Sequence, residues 1–362
     1  MSAGLVEGVE RIAVLRPNAV GDFIFALPAL TALRAAYPQA HITLLGKRWH
    51  REFLSGRPGP WDEVIEVPPV RGVGIAPEGE QDDAQVEAFI EAMRARRFDL
   101  ALQLYGGGRY SNPFVQRLGA RVNIGAHAQD ATPLDRSIPY VVWCNERLRL
   151  LEVVAQCGAR PVDLSPALQL TVSDEASLAR KLELPPKPLV VLQPGASDPR
   201  RRWPVASFAA VGDALAERGA HIVINGSADE RALAGALAAA MRAPAIDASG
   251  LPLGALAALL QRARLVVSND TGPLHLAQAV GTATVGIYWF LNMVTASPVV
   301  TASNRTAFSS RTHCPVCGAE NVRGGCEHDA SFVADVEVDE VLDLALELFT
   351  AADTPRAGSV LR

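Results

Sequence analysis

Ser268-Asn269-Asp270-Thr271-Gly272-Pro273-Leu274-His275 gathers a carboxylate, two hydroxyls and an imidazole where a strand gives way to a helix. Arg264-Leu265-Val266-Val267 before it is a short β-branched run suited to a buried parallel strand. Pro273 fits the first helical position, where a missing N–H removes no intrahelical bond. Such a junction aims backbone N–H groups and the positive end of a helix dipole at one point, where a phosphate can sit. An N-capped helix with no ligand is the plain alternative. Arg200-Arg201-Arg202 stands in a second such place, after the strand Leu189-Val190-Val191-Leu192 and its exit turn Gln193-Pro194-Gly195-Ala196-Ser197. Guanidinium groups pair bidentately with phosphate oxygens, so this run suits a diphosphate better than a solvated loop.

Two acidic residues open helices elsewhere. Asp22 follows Gly21 in the turn Pro17-Asn18-Ala19-Val20-Gly21-Asp22; it either caps the next helix or projects a carboxylate into a cleft. Glu230 either favours a helix dipole or reaches a ribose hydroxyl. A further constellation is His313-Cys314-Pro315-Val316-Cys317 with Cys326-Glu327-His328. Cys314, Cys317, Cys326 and His328 have the ligand types of a tetrahedral structural metal site for zinc, or for iron given mainly thiolate ligands. His313 could replace His328, and a disulfide or free thiols are the alternatives. A closed site of this kind would pin a loop and perform no chemistry.

The elements that must hold these groups alternate strand and helix twice along the chain. The first series runs through Arg11-Ile12-Ala13-Val14-Leu15-Arg16, a helix over 23–37, His41-Ile42-Thr43-Leu44-Leu45, Val64-Ile65-Glu66-Val67, a helix over 84–97, 99–104, 121–125 and a helix over 146–157. The segment 70–81 reads as a surface loop, and Tyr105-Gly106-Gly107-Gly108-Arg109 as a glycine-rich strand exit beside a substrate or a plain flexible loop. The second series runs from Leu189 to a final clear strand at 282–288, followed by an amphipathic helix over 335–350. Prolines 161, 166, 185, 186 and 188 punctuate the region between the two. The expected organisation is an N-terminal Rossmann-like domain over 1–165, a linker over 166–187, a second Rossmann-like domain over 188–335 carrying the Cys-rich loop 313–328, and a helix and tail over 336–362.

Composition narrows the function. A net charge of −5 argues against a nucleic-acid binder relying on a basic field. No apolar run reaches the roughly 18 residues of a membrane span. Five cysteines without a basic-then-apolar signal pattern point to a reducing cytoplasm.

Taken in order, Gly21-Asp22 with Pro28 and Tyr37-Pro38, Pro194-Gly195-Ala196-Ser197 with Arg201-Arg202-Trp203-Pro204, and Ser268 to His275 with Ala277 closely resemble glycosyltransferase family 9, the ADP-heptose lipopolysaccharide heptosyltransferases. The resemblance spans 11–348. It implies a GT-B fold, two doubly wound Rossmann-like domains facing a central cleft. It also implies inverting transfer without a catalytic metal, an ADP-sugar donor, and a saccharide acceptor such as the lipopolysaccharide inner core at the inner membrane face. Asp22 is implied as the general base; an aspartate is a weak base, so its efficacy would come from placement. Ser197, Asp270, Thr271 and Gly272 are implied on the donor diphosphate with His275 beside them, Glu230 near the ribose, and Leu251 among the donor-binding residues. Arg201 stands where many members carry lysine in a Lys-x-Trp-Pro motif, and it keeps the charge that stabilises a leaving group. A catalytically silent nucleotide-sugar-binding protein and a nucleotide-sugar epimerase of similar architecture are the other readings.

Overall fold

The computed structural model describes residues 4–186 and 188–351; the expected tail from 352 onward lies outside the described residues. The chain divides into two compact units, Met1–Gln169 and Leu170–Arg362.

The first unit contains β1 (Arg11–Leu15), β2 (His41–Gly46), β3 (Glu63–Glu66), β4 (Val70–Arg71), β5 (Gly74–Ile75), β6 (Leu100–Gln103), β7 (Val122–His127) and β8 (Arg136–Pro139). Six of these form one parallel sheet in the order β3-β2-β1-β6-β7-β8, while β4 and β5 pair only with each other, inside the segment expected to be a loop. The second unit contains β9 (Leu189–Gln193), β10 (His221–Ile224), β11 (Ala245–Asp247), β12 (Leu265–Asn269), β13 (Ala283–Trp289) and β14 (Asn304–Ser309), in the order β11-β10-β9-β12-β13-β14. Both sheets start in the middle, build outward to one side, and cross back to build the other. This is the doubly wound dinucleotide-fold order, whose ligand crevice lies outside the carboxyl ends of the two strands at the reversal. Those strands are β1 and β6 in one unit, β9 and β12 in the other. Register brings Leu15 beside Gln103, and Gln193 beside Ser268. Arg16 therefore emerges next to Leu104, and the Pro194 turn next to Asn269 and Asp270.

The central strands are continuous apolar runs because helices cover both faces; all five residues of β9 and of β12 are buried. The edge strand β14 lies beyond the strand expected to be last. Only Ala307 and Ser309 of Asn-Arg-Thr-Ala-Phe-Ser are buried, so apolar content gave it little signal. Much of the segment expected as a linker is a helix, Val172–Lys181, packed on the helix Leu253–Arg262 of the second unit. Thr171 and Asp174 cap it reciprocally, the Thr171 hydroxyl accepting from the Asp174 N–H at 3.3 Å and the Asp174 carboxylate from the Thr171 N–H at 2.8 Å. The last helix, Val338–Ala351, buries Val341, Ala345, Leu348 and Phe349 in the core that also holds Trp203 and Phe208. No helix among the described residues is long and apolar enough to cross a membrane.

His50 shows how burial sets stability in the first unit. Its ring stacks on Trp49, meets Phe23 edge-on, and accepts the Lys47 N–H on Nδ1 at 3.0 Å. Burial, then the charges of Arg16 and Lys47, push its pKa from 6.5 down to about 3. The unfolded chain binds this proton below about pH 6.5 and the folded chain does not. The contribution to stability is therefore whole above that pH and is lost as pH falls towards 3. Denaturant melts at about pH 7 and about pH 4.5 should differ by about 2–3 kcal/mol from this group. The difference should vanish in His50→Phe; an unchanged pH dependence would locate the acid sensitivity elsewhere.

Candidate functional site

At the reversal of the first sheet, Asp22 is the third residue of the helix Val20–Ala36. Ala19 occupies the N-cap and no side chain caps this helix, so Asp22 is not the cap that its local sequence also allowed. Its side chain is 41% exposed, which leaves the carboxylate accessible to a substrate hydroxyl. Beneath it lies Arg16, fully buried, a residue that no local motif singles out. Arg16 Nε and Nη2 donate to the Asp22 carbonyl at 3.0 and 2.6 Å, and Nη2 lies 3.9 Å from Asp22 Oδ1. Nη1 donates to the Leu104 carbonyl and, at 2.9 Å, to Glu146 Oε1. Burial lowers the Arg16 pKa to about 10, against the raising effect of Asp22, so the guanidinium is charged at neutral pH. One cation thus ties the ends of β1 and β6 to the turn that presents Asp22. The Tyr105–Gly106 turn beside it is held by Gln103, whose amide donates to the Tyr105 carbonyl and to Ser111 Oγ.

At the reversal of the second sheet, β12 ends at Asn269 and the helix Gly272–Ala279 begins after Thr271. Pro273 lies in its first turn, and the Thr271 N-cap hydroxyl makes no capping bond. Asn269, fully buried, clamps the two neighbouring turns: Oδ1 accepts the Trp203 N–H at 3.0 Å and Nδ2 donates to the Pro194 carbonyl at 2.7 Å. Asp270 is buried and already engaged. Its Oδ2 receives Arg201 Nη1 at 3.1 Å and its Oδ1 meets His275 Nε2 at 3.0 Å. Burial alone would raise its pKa; the His275 hydrogen bond and then the Arg201 charge outweigh this and hold it below the usual carboxylate value. Arg201 Nη2 donates to Ser197 Oγ at 2.8 Å. The structure therefore assembles Ser197, Arg201, Asp270, Thr271, Gly272 and His275 at one strand edge. A fixed cation and a helix N-terminus together make an anion cradle.

Glu230 reaches the same edge from the next turn. Its Oε2 accepts the Ser227 N–H at 2.9 Å, and its carboxylate lies so close to Gly195 that a Cβ there would stand 2.1 Å from Oε1. Leu251 is half-buried in the turn after β11, which Gly250 joins to Gly226 by an N–H···O bond of 2.9 Å.

The third constellation follows β14. The sulfurs of Cys314, Cys317 and Cys326 and a ring nitrogen of His328 all lie within 4.8 Å of one another. All three cysteines are free thiols, which sets the disulfide alternative aside. His313 pairs instead with the Thr312 hydroxyl through Nδ1 at 2.8 Å. The backbone N–H of Cys317, with that of Val316, points at Cys314 Sγ and lowers its pKa to about 6. A thiolate already favoured at neutral pH, in a sulfur-rich set of four, fits a tetrahedral metal ion.

Two doubly wound parallel sheets, with an accessible carboxylate at one reversal and an anion cradle at the other, define an α/β enzyme of the GT-B class. The profile described as glycosyltransferase family 9 (heptosyltransferase) matches residues 86–323, and the chain belongs to that family. It is 26% identical over 296 residues to lipopolysaccharide heptosyltransferase 2 of Salmonella typhimurium, covering 77% of this chain and 82% of the relative. Its fold is shared by the solved E. coli ADP-heptose LPS heptosyltransferase II, with a TM-score of 0.73, 19% identity, and coverage of 95% and 99%. It is also shared by the dodecameric iron-containing heptosyltransferase TibC in complex with ADP-D-β-D-heptose, with a TM-score of 0.52, 11% identity, and coverage of 95% and 78%.

Proposed function

We propose that this chain is an inverting glycosyltransferase that moves heptose from ADP-heptose to the saccharide of a lipopolysaccharide inner core, working at the cytoplasmic face of the inner membrane. The observation that carries the reading is the pair of sheet-reversal sites, a carboxylate in one unit and a cation-lined anion cradle in the other, in a chain of family 9. Names of the relatives supply the donor and acceptor. In this reading the Asp22 carboxylate takes the proton of the acceptor hydroxyl as its oxygen attacks the anomeric carbon. The bond from that carbon to the diphosphate breaks, and a single displacement inverts the configuration. Charge on departing ADP is met by Arg201 and by N–H groups at Gly272, so the chemistry asks for no catalytic metal. Asp270 acts from below by fixing Arg201 and His275, since an ionised carboxylate would repel phosphate. Ser197 and Thr271 offer hydroxyls, Glu230 reaches the ribose, and Leu251 lies on the nucleoside side.

Purified protein given ADP-heptose and a heptose-free core acceptor should yield a product heavier by one heptose with the anomeric configuration inverted. Absence of both transfer and hydrolysis with every nucleotide sugar tried would sink the reading. Gly195→Ala should weaken ADP binding by about 1.5–3 kcal/mol in titration calorimetry, the worth of one hydrogen bond to a charged group, because its methyl displaces the Glu230 carboxylate proposed to hold the ribose. Unchanged affinity would remove Glu230 from the donor site.

We also assign the Cys314, Cys317, Cys326 and His328 cluster as a structural metal site. Zinc suits its ligands, and iron is supported by its presence in one solved heptosyltransferase of this fold. Metal analysis of untagged protein should find about one ion per chain, and substantially less in Cys317→Ser.

A further inference from the structure

The metal cluster and the donor loop are separated by more than a hundred residues in the chain, yet hydrogen bonds join them directly. Asn321, buried within the Cys-rich loop, accepts Arg200 Nη1 on Oδ1 at 3.3 Å and donates through Nδ2 to Cys326 Sγ at 3.7 Å. Downstream of the cluster, the Phe332 N–H donates to the Arg200 carbonyl at 2.7 Å and the Ser331 hydroxyl to the Arg202 carbonyl at 2.6 Å. The Trp203 indole donates to the Val336 carbonyl at 2.9 Å. The two residues flanking Arg201, and the tryptophan after them, are thus all held by the segment that leaves the cluster.

We propose that metal occupancy of the Cys314, Cys317, Cys326 and His328 cluster controls donor affinity by setting the position of Arg201. This rests on the metal assignment above. No helix or named strand occurs between β14 and Val338; one antiparallel bridge, His313 with Glu320, closes the turn that carries Cys314 and Cys317, and turns and side-chain contacts order the loop from Val322 to Phe332. His328 stands three residues before Ser331, a reach of about 10 Å at full extension, so an ion fixing His328 also confines Ser331 and Phe332. Asn321 extends the constraint from Cys326 to Arg200, as partners of metal ligands commonly do. Arg200 is locked onto Asp198 by bonds of 2.8 to 3.2 Å, and the Arg201 N–H donates to the Asp198 carbonyl at 3.0 Å. A loop loosened at the cluster therefore releases the backbone on both sides of Arg201, and the guanidinium meets the diphosphate less often in the right place. Because coupling free energy is reciprocal, bound ADP must in turn tighten the metal.

The test is titration of ADP into the full-length protein as purified, after removal of metal by a chelator under reducing conditions, and after restoration with zinc or ferrous iron. Metal removal should weaken ADP about 5- to 50-fold, within the usual range of coupling between sites, and restoration should reverse it. ADP should slow metal release to the chelator. Asn321→Ala keeps all four ligands and the route through His328 and Ser331; with its metal bound it should bind ADP more weakly than the unaltered protein and more tightly than the metal-free one. Equal ADP affinity with and without metal overturns the coupling and leaves the metal assignment standing. A protein that neither carries metal nor takes up zinc or iron overturns both.

Discussion

Asp22→Asn should lower turnover by about 10²–10⁴-fold while leaving ADP affinity unchanged. The substitution keeps the size of the side chain and its place in the helix Val20–Ala36, and removes only its ability to accept a proton. Arg16 holds this turn through the Asp22 carbonyl, which the substitution does not touch, so the local fold should survive. Ser197, Arg201, Thr271 and Gly272, proposed on the diphosphate, all belong to the other unit, so donor binding should be insensitive. Single-turnover rates with calorimetric ADP binding separate the two quantities. An active Asp22→Asn variant would reduce Asp22 to a structural residue of the first helical turn. A variant that also lost ADP binding would implicate it in the donor site instead.

Arg201→Met should cost about 10²–10³-fold in turnover, the scale found when one preorganised stabilising group is lost from a developing anion. Arg201 divides its fork between Asp270 and Ser197, so it waits at the cradle with its orientation already fixed. Methionine keeps the bulk of the side chain and removes the charge. It also leaves the buried Asp270 with His275 as its remaining partner at that site, so some loss of stability should accompany the loss of rate. Arg201→Lys separates charge from geometry: an ammonium cannot reach both partners as a fork does, and a milder defect, about tenfold, is expected. Equal losses for Met and Lys would show that the fork matters and the charge does not. Full activity in Arg201→Met would remove Arg201 from leaving-group stabilisation.

Much of this protein was legible without coordinates. Continuous apolar runs marked β9 and β12, glycine and proline marked the turns after them, and three ordered motifs carried the family. Spacing and residue type single out Cys314, Cys317, Cys326 and His328 as candidate ligands, and the fold brings them together. The helix Val172–Lys181 was missed because prolines on either side looked like a linker, although Thr171 and Asp174 form a capping box. The edge strand β14 was missed because one paired edge and one partly wet face require few apolar residues.

Which side chains end strands and open helices can be read along the chain, because period, turn residues and caps are properties of near neighbours. What those side chains touch depends on the folded chain. Arg16 meets Glu146 across 130 positions, Asn269 meets Trp203 across 66, and Arg200 meets Asn321 across 121. Each pairing follows from strand order or from the course of a long loop, which no local pattern encodes. For that reason Asp22 and the Ser268–His275 segment could be found by reading the chain, whereas the buried arginine under one and the brace from the Cys-rich loop behind the other could not.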